Sequence, residues 1–187
     1  MSPGSVTRPA RRASCTRGAG AADRSRNVSG RTTPELWELA ISQIDDGTPV
    51  HGEDLGDGVT AFVGESFFVA SRVLDLERYA GLVPEAGALV AIPQRHMLIV
   101  HPIKTTQAVK ALNSMIGAAA HFFGQGPGSI VPHVFWWRHD RSLLRVSAGV
   151  RDGHHYVIPP DEFVDVLNAL PGPPDPAHGE RRRPHKR

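Results

Sequence analysis

Apolar residues recur along the chain with two periods, and the switches between them mark the elements. In residues 105–123, Val109, Leu112, Met115, Ile116, Ala119, Phe122 and Phe123 fall at three- and four-residue spacing, which predicts a long amphipathic helix stopped at Gly124. Residues 88–92 and 97–100 are apolar runs separated by Pro93, Gln94, Arg95 and His96. They predict two strands joined by a short turn, because Pro93 has no N–H to give to a ladder. Residues 131–138 and 143–150 flank His139-Asp140-Arg141-Ser142 and predict a hairpin. On its second strand Leu144, Val146, Ala148 and Val150 share one face, with Arg145 and Ser147 on the other, as when one sheet face packs and one meets water. Residues 155–158 predict a further strand.

The remaining signals are shorter. Thr33 is expected to cap a first helix with Pro34 at its first position, Glu35 beside its positive end, and Leu36, Leu39, Ala40 and Ile44 as its apolar stripe. Residues 47–58 read as a Gly- and acid-rich connection with a short edge strand around Val50, and residues 59–63 as a strand. Residues 66–79 fit neither period well and are read as mostly helical, with Arg72, Asp75, Glu77 and Arg78 forming a wet face. A last helix begins at Pro159-Pro160-Asp161-Glu162, buries Phe163, Val166, Leu167 and Leu170, and stops at Pro171-Gly172.

This order predicts an α+β fold: a mainly antiparallel sheet packed on one side by a long central helix, in a single domain over residues 32–170. Flanking it are a basic leader, residues 1–31, and a Pro- and Arg-rich tail, residues 171–187, both expected to be disordered. Charge sharpens the division. The leader carries seven Arg against one Asp and the tail five Lys or Arg against two acids, so a total of +2 leaves residues 32–170 at −7. The basic pI belongs to the tails, which argues against a nucleic-acid-binding core, since such a domain carries its positive stripe on the folded face that docks. The single cysteine, Cys15, allows neither an intramolecular disulfide nor a cysteine-based zinc site and points to a reducing cytoplasm. No apolar run approaches the ~18 residues of a membrane span, and the leader lacks the apolar segment of a secretory signal.

The passage from Gly87 through Ala88-Leu89-Val90-Ala91-Ile92-Pro93-Gln94-Arg95 to His96 resembles the bacterial YtpQ-like family, in which an apolar strand ends in a Val-Pro-x-Arg-type turn before a second apolar strand. Residues 67–76, the long helix, and the passage from Gly126-Pro127-Gly128-Ser129 to Phe135-Trp136-Trp137 extend the similarity over about residues 34–170. The resemblance implies a fold and no activity, the family having none established. His96 stands where the family has an acid, so no site is carried over.

Candidate chemistry centres on the ten histidines, yet no His-Glu-x-x-His or His-x-His spacing occurs, and His96 and His101 fall on opposite faces of one strand. His133 and His139 share a face with Phe135 and Trp137, where His154 or His155 could approach from a neighbouring strand. His139-Asp140 and Asp152 with His154 sit at turn positions, where Asp is favoured for backbone reasons alone. Gly64-Glu65-Ser66-Phe67-Phe68 lacks the last Gly of a nucleophile elbow, and the glycine loop 124–129 lacks a Lys and follows a helix, the reverse of a phosphate loop. Trp136 and Trp137 point to opposite faces, so one is expected in the core and the other, beside Arg138, in the open as a binding anchor. The leading expectation is therefore a cytoplasmic, non-catalytic protein-binding module without metal or cofactor, its surface drawn from Arg95, His96, His133, Trp136, Trp137, Arg138 and His139. A small metal-dependent or His/Asp hydrolase using His133, His139, Asp140 and His154 is the alternative, and polyanion binding through the basic tails a third reading.

Overall fold

A computed structural model describes residues 31–172 other than 82, 152 and 153, with the backbone alone at 147–151 and 154–156. The expected disordered leader and tail lie almost wholly outside the described residues. The chain divides into two compact units, Met1–Glu38 and Leu39–Arg187. The described part of the first holds most of helix α1, Thr33–Ser42, and its N-terminus. Thr32, one residue before the expected cap, closes it: the Thr32 amide and hydroxyl donate to Glu35 Oε2 at 2.6 and 2.9 Å, and the Glu35 amide returns to Thr32 Oγ1 at 3.5 Å, a capping box.

The second unit is built on seven strands: β1 Val50–Gly56, β2 Val59–Gly64, β3 Ala88–Ala91, β4 Met97–Pro102, β5 Val134–Trp137, β6 Leu143–Arg151 and β7 His154–Ile158. They form one sheet in the order β1-β2-β4-β3-β5-β6-β7, every pair antiparallel. The class is α+β, as the hydropathy pattern predicts. Its layering differs from the expectation. The longest helix, α3 Ala108–Phe123, has 16 residues and does not cover the sheet alone. Ala108, Ala111, Leu112, Met115, Ile116 and Ala119 bury one stripe against Leu89, Ala91, Met97 and Ile99, and α4, Asp161–Ala169, adds Phe163 to the same layer. The opposite face is covered as well: Val69, Val73, Leu76 and Val83 pack on Ala88, Val90, Leu98, Val100 and Trp137. Coverage on both sides explains why β3 is an unbroken apolar run with all four residues buried. Among the described residues no helix is long and apolar enough to cross a membrane.

Three local readings change. Residues 47–58 are mostly strand: β1 is seven residues long, exposed from His51 onward, and turns into β2 through Asp57-Gly58, whose φ values of 54° and 71° suit the two-residue turn that matches strand twist. The predicted helix over 66–79 becomes a turn, a 3-10 helix Ala70–Asp75 and a short α2, Leu76–Ala80, because Val69, Val73 and Leu76 must all reach the sheet while Phe67 and Phe68 turn outward. In α1 and after it the buried positions are Ile41 and Ile44, whereas Leu39 is 41% exposed.

Candidate functional site

Antiparallel pairing decides which of the expected site residues can meet. Ala88 pairs with Trp137 and Ala91 with Val134, so the 93–96 turn that follows β3 lies beside the start of β5, while the 138–142 connection lies at the other end. Six residues at ~3.4 Å each put His133 and His139 about 20 Å apart along that strand. Arg95, His96 and His133 thus belong to one end of the sheet, and Arg138 and His139 to the opposite end.

Between the two ends, Trp136 and Trp137 do alternate to opposite faces, but both faces are covered and neither indole is open: they are 5% and 2% exposed. Trp136 Nε1–H donates to the Ala86 carbonyl at 2.9 Å, and Trp137 Nε1–H to the Val73 carbonyl at 3.0 Å. The expected exposed tryptophan is corrected to two core residues.

The Arg138–His139 end is closed on itself. Arg138 Nη1 donates to Glu162 at 3.0 Å. The His139 ring has an acceptor on both sides, Glu77 Oε1 on Nδ1 and the Pro84 carbonyl on Nε2, each at 2.9 Å. Two acceptors favour the doubly protonated ring, and the Pro84 carbonyl foremost, then the Glu77 carboxylate, hold the His139 pKa above its ordinary value. Asp140 accepts from the Ser142 amide and hydroxyl, which holds its carboxyl below the usual range. His139 thus has an acceptor at each ring nitrogen, and Asp140 Oδ1 is taken by Ser142. Among the described residues no three His, Cys, Asp or Glu come together in a way that could hold a metal ion. The His154 side chain lies outside the described residues.

The Arg95–His96 end is organised differently. His96 Nε2 accepts from Arg95 Nε–H at 3.0 Å, which makes Nδ1 the protonated nitrogen, and Nδ1 lies 3.1 Å from the Ser66 carbonyl. The guanidinium carbon sits 4.3 Å from the centroid of Phe67, and the His96 ring 5.2 Å from the same ring. From the other side Gly128 presses on the Arg95 stem so closely that a Cβ there would stand 2.8 Å from Nε, and its φ of 93° suits glycine. The backbone follows suit: the Arg95 amide donates to Gly128 and its carbonyl accepts from Ala70. The glycine loop is itself tied down, with Ser129 Oγ donating to Phe123 and Gln94 Nε2 to Phe122 at the end of α3. The residue sequence reasoning missed is Phe67, which is 59% exposed; Phe68 at 46% and Ile130 at 47% are exposed too. Its only sequence signal was a pair of aromatics that fitted no period.

His101 lies in β4 and is 7% exposed, whereas His96 falls in the turn before that strand. Its Nδ1 meets the Gly58 carbonyl at 3.0 Å, and burial lowers its pKa, so the ring is a neutral donor pinning the β1–β2 turn. Asp57 in the same turn takes Lys110 Nζ and Ser114 Oγ, each at 2.8 Å, fastening the turn to α3. A cavity of about 380 Å³ opens beside His101, Thr60 and Lys104.

Comparison with family models, curated proteins and solved structures gives no match.

Proposed function

We propose that this chain is a protein-recognition domain that docks a partner on the end of the sheet formed by residues 65–68, 93–96 and 126–130, rather than on the aromatic hairpin at the other end. The observation that carries the reading is Phe67: 59% exposed, it is nonetheless held in place by Arg95 and His96. A large apolar ring left in water costs free energy that folding would ordinarily recover by burial, and an aromatic beside an arginine is the composition of an interface hot spot. Phe68 and Ile130, in the same segments, are exposed apolar residues as well. The reading carries a cytoplasmic setting, in keeping with a single cysteine in 187 residues.

Cross-linking in cells with the wild-type chain, Phe67→Ser and Val109→Ser tests it, the last being another exposed apolar residue, on α3. A partner captured by wild type and Val109→Ser but lost with Phe67→Ser is the expected result. Capture that survives Phe67→Ser would sink the assignment of this surface.

A further inference from the structure

We propose that the two terminal amines of Arg95 are a receptor for one carboxylate, an Asp or Glu side chain of the partner whose apolar neighbour lies on Phe67. The inference rests on the protein-recognition reading and adds the chemistry of what is recognised.

Arg95 spends its Nε–H on His96 and none of its Nη donors: among the described residues no carboxylate pairs with it and no acceptor takes a hydrogen bond from Nη1 or Nη2. Its stem is fixed between Phe67 and Gly128, and its Nε by His96, whose own ring is set by Ser66. The side chain has therefore given up its rotamer freedom in folding and has little left to lose on binding. What it offers outward is the end-on fork of two Nη groups, the geometry that takes both oxygens of a carboxylate. A phosphate dianion calls for clustered cations, whereas segments 65–68 and 126–130 around Arg95 hold no other Lys or Arg and contain an acid, Glu65. A single cation beside an apolar ring fits a monoanion flanked by an apolar side chain.

The test titrates the uniformly ¹⁵N-labelled full chain with N-acetyl-aspartyl-phenylalaninamide, its asparaginyl counterpart and phenyl phosphate, following the Arg95 Nε–H and Gly128 amide resonances. The aspartyl peptide is expected to shift both saturably, and the asparaginyl peptide to bind about tenfold more weakly through loss of a charge-assisted hydrogen bond. That comparison uses only the wild-type chain, so it does not depend on a variant folding. Arg95→Lys, which keeps the charge and loses the fork, is expected to weaken the aspartyl peptide by a similar factor. No saturable shift, equal affinity for both peptides, or tighter binding of phenyl phosphate would overturn the carboxylate assignment. If cross-linked partner is lost with Phe67→Ser but kept with Arg95→Gln, recognition stands and the receptor falls. If neither variant loses it, the reading beneath falls too.

Discussion

Replacing Trp137 by alanine separates a core residue from a surface anchor. Its indole is 2% exposed, lies among Val69, Val73 and Leu76 on the sheet face opposite α3, and donates Nε1–H to the Val73 carbonyl at 3.0 Å. Truncating a buried tryptophan removes its transfer free energy and leaves a cavity, for a total of about 3–5 kcal/mol. Against a typical stability of about 5–15 kcal/mol, that is a large share. Trp137→Phe keeps most of the ring and deletes the donor, so it isolates the Val73 hydrogen bond, at about 1–3 kcal/mol for a buried acceptor that loses its partner. Urea unfolding followed by far-UV circular dichroism measures both, with the urea slope expected to hold while the midpoint falls. An exposed anchor would cost no more than about 0.5 kcal/mol on substitution. A loss below about 1 kcal/mol for Trp137→Ala would refute the packing described here.

Two further outcomes follow from the same geometry. Gly87 has φ 82°, and a Cβ there would stand 2.2 Å from the Trp137 carbonyl oxygen, so Gly87→Ala should force β3 from β5 and cost about 3 kcal/mol or more. Gly117, on α3 with nothing within 4 Å of its would-be Cβ, is the control: Gly117→Ala should stabilise by about 0.5–1 kcal/mol, and thermal melts of the two variants moving the same way would contradict this account. His101 and His139 should impose opposite pH dependences on stability. Burial depresses the folded pKa of His101, so its contribution is full above the unfolded value of about 6.5 and is lost as pH falls through the folded value. The Pro84 carbonyl and Glu77 raise that of His139, so its smaller, solvent-screened contribution is full below about 6.5 and is lost as pH rises through the folded value. Urea unfolding at pH 5.5 and 8 should therefore show His139→Gln destabilising at the lower pH only, and His101→Gln losing the wild-type's decline on acidification; unchanged pH profiles would contradict both assignments.

What the sequence made legible was what burial had written into it. The runs of β3 and β4, the stripe of α3 and the β5–β6 hairpin are visible because their apolar residues face a core on a fixed period. β1 was legible only as a short edge strand around Val50, because six of its seven residues are exposed and carry no alternation that would show its full length. Asp57-Gly58, the dipeptide that a two-residue hairpin turn demands, marks where it ends. The tryptophan pair shows a different limit. Strand periodicity places Trp136 and Trp137 on opposite faces correctly, but whether both faces are covered depends on residues 69–83, more than fifty positions upstream and irregular in pattern. Likewise Arg95 and His96 stand out in the sequence, whereas the ring they hold, Phe67, is brought to them only by the packing of residues 65–69 against the β4 end.

The topology also settles why one end of the sheet is a candidate site and the other is not. Because β3 runs antiparallel to both neighbours, no surface can join the turn that follows it to the turn that follows β5. The two groups of polar residues that sequence reasoning treated as one must therefore be judged separately, by what their donors and acceptors do. At the far end Arg138 meets Glu162, His139 meets Glu77 and Pro84, and Asp140 meets Ser142, so each charge is answered within the fold and the cluster acts as a clamp. At the near end the internal hydrogen bonds run from Arg95 to His96 to the Ser66 carbonyl, and the Ser66 hydroxyl continues to Asp46, so the guanidinium is oriented while no carboxylate pairs with it among the described residues. Substituting His96 by Phe would keep the packing on Phe67 and remove the acceptor for Arg95 Nε. Arg95 would then regain rotamer freedom, and the aspartyl peptide should bind several-fold more weakly, while stability falls by about 1–3 kcal/mol for the two hydrogen bonds the ring makes, to Arg95 and to Ser66. Unaltered peptide affinity in His96→Phe would mean that the histidine only fills space.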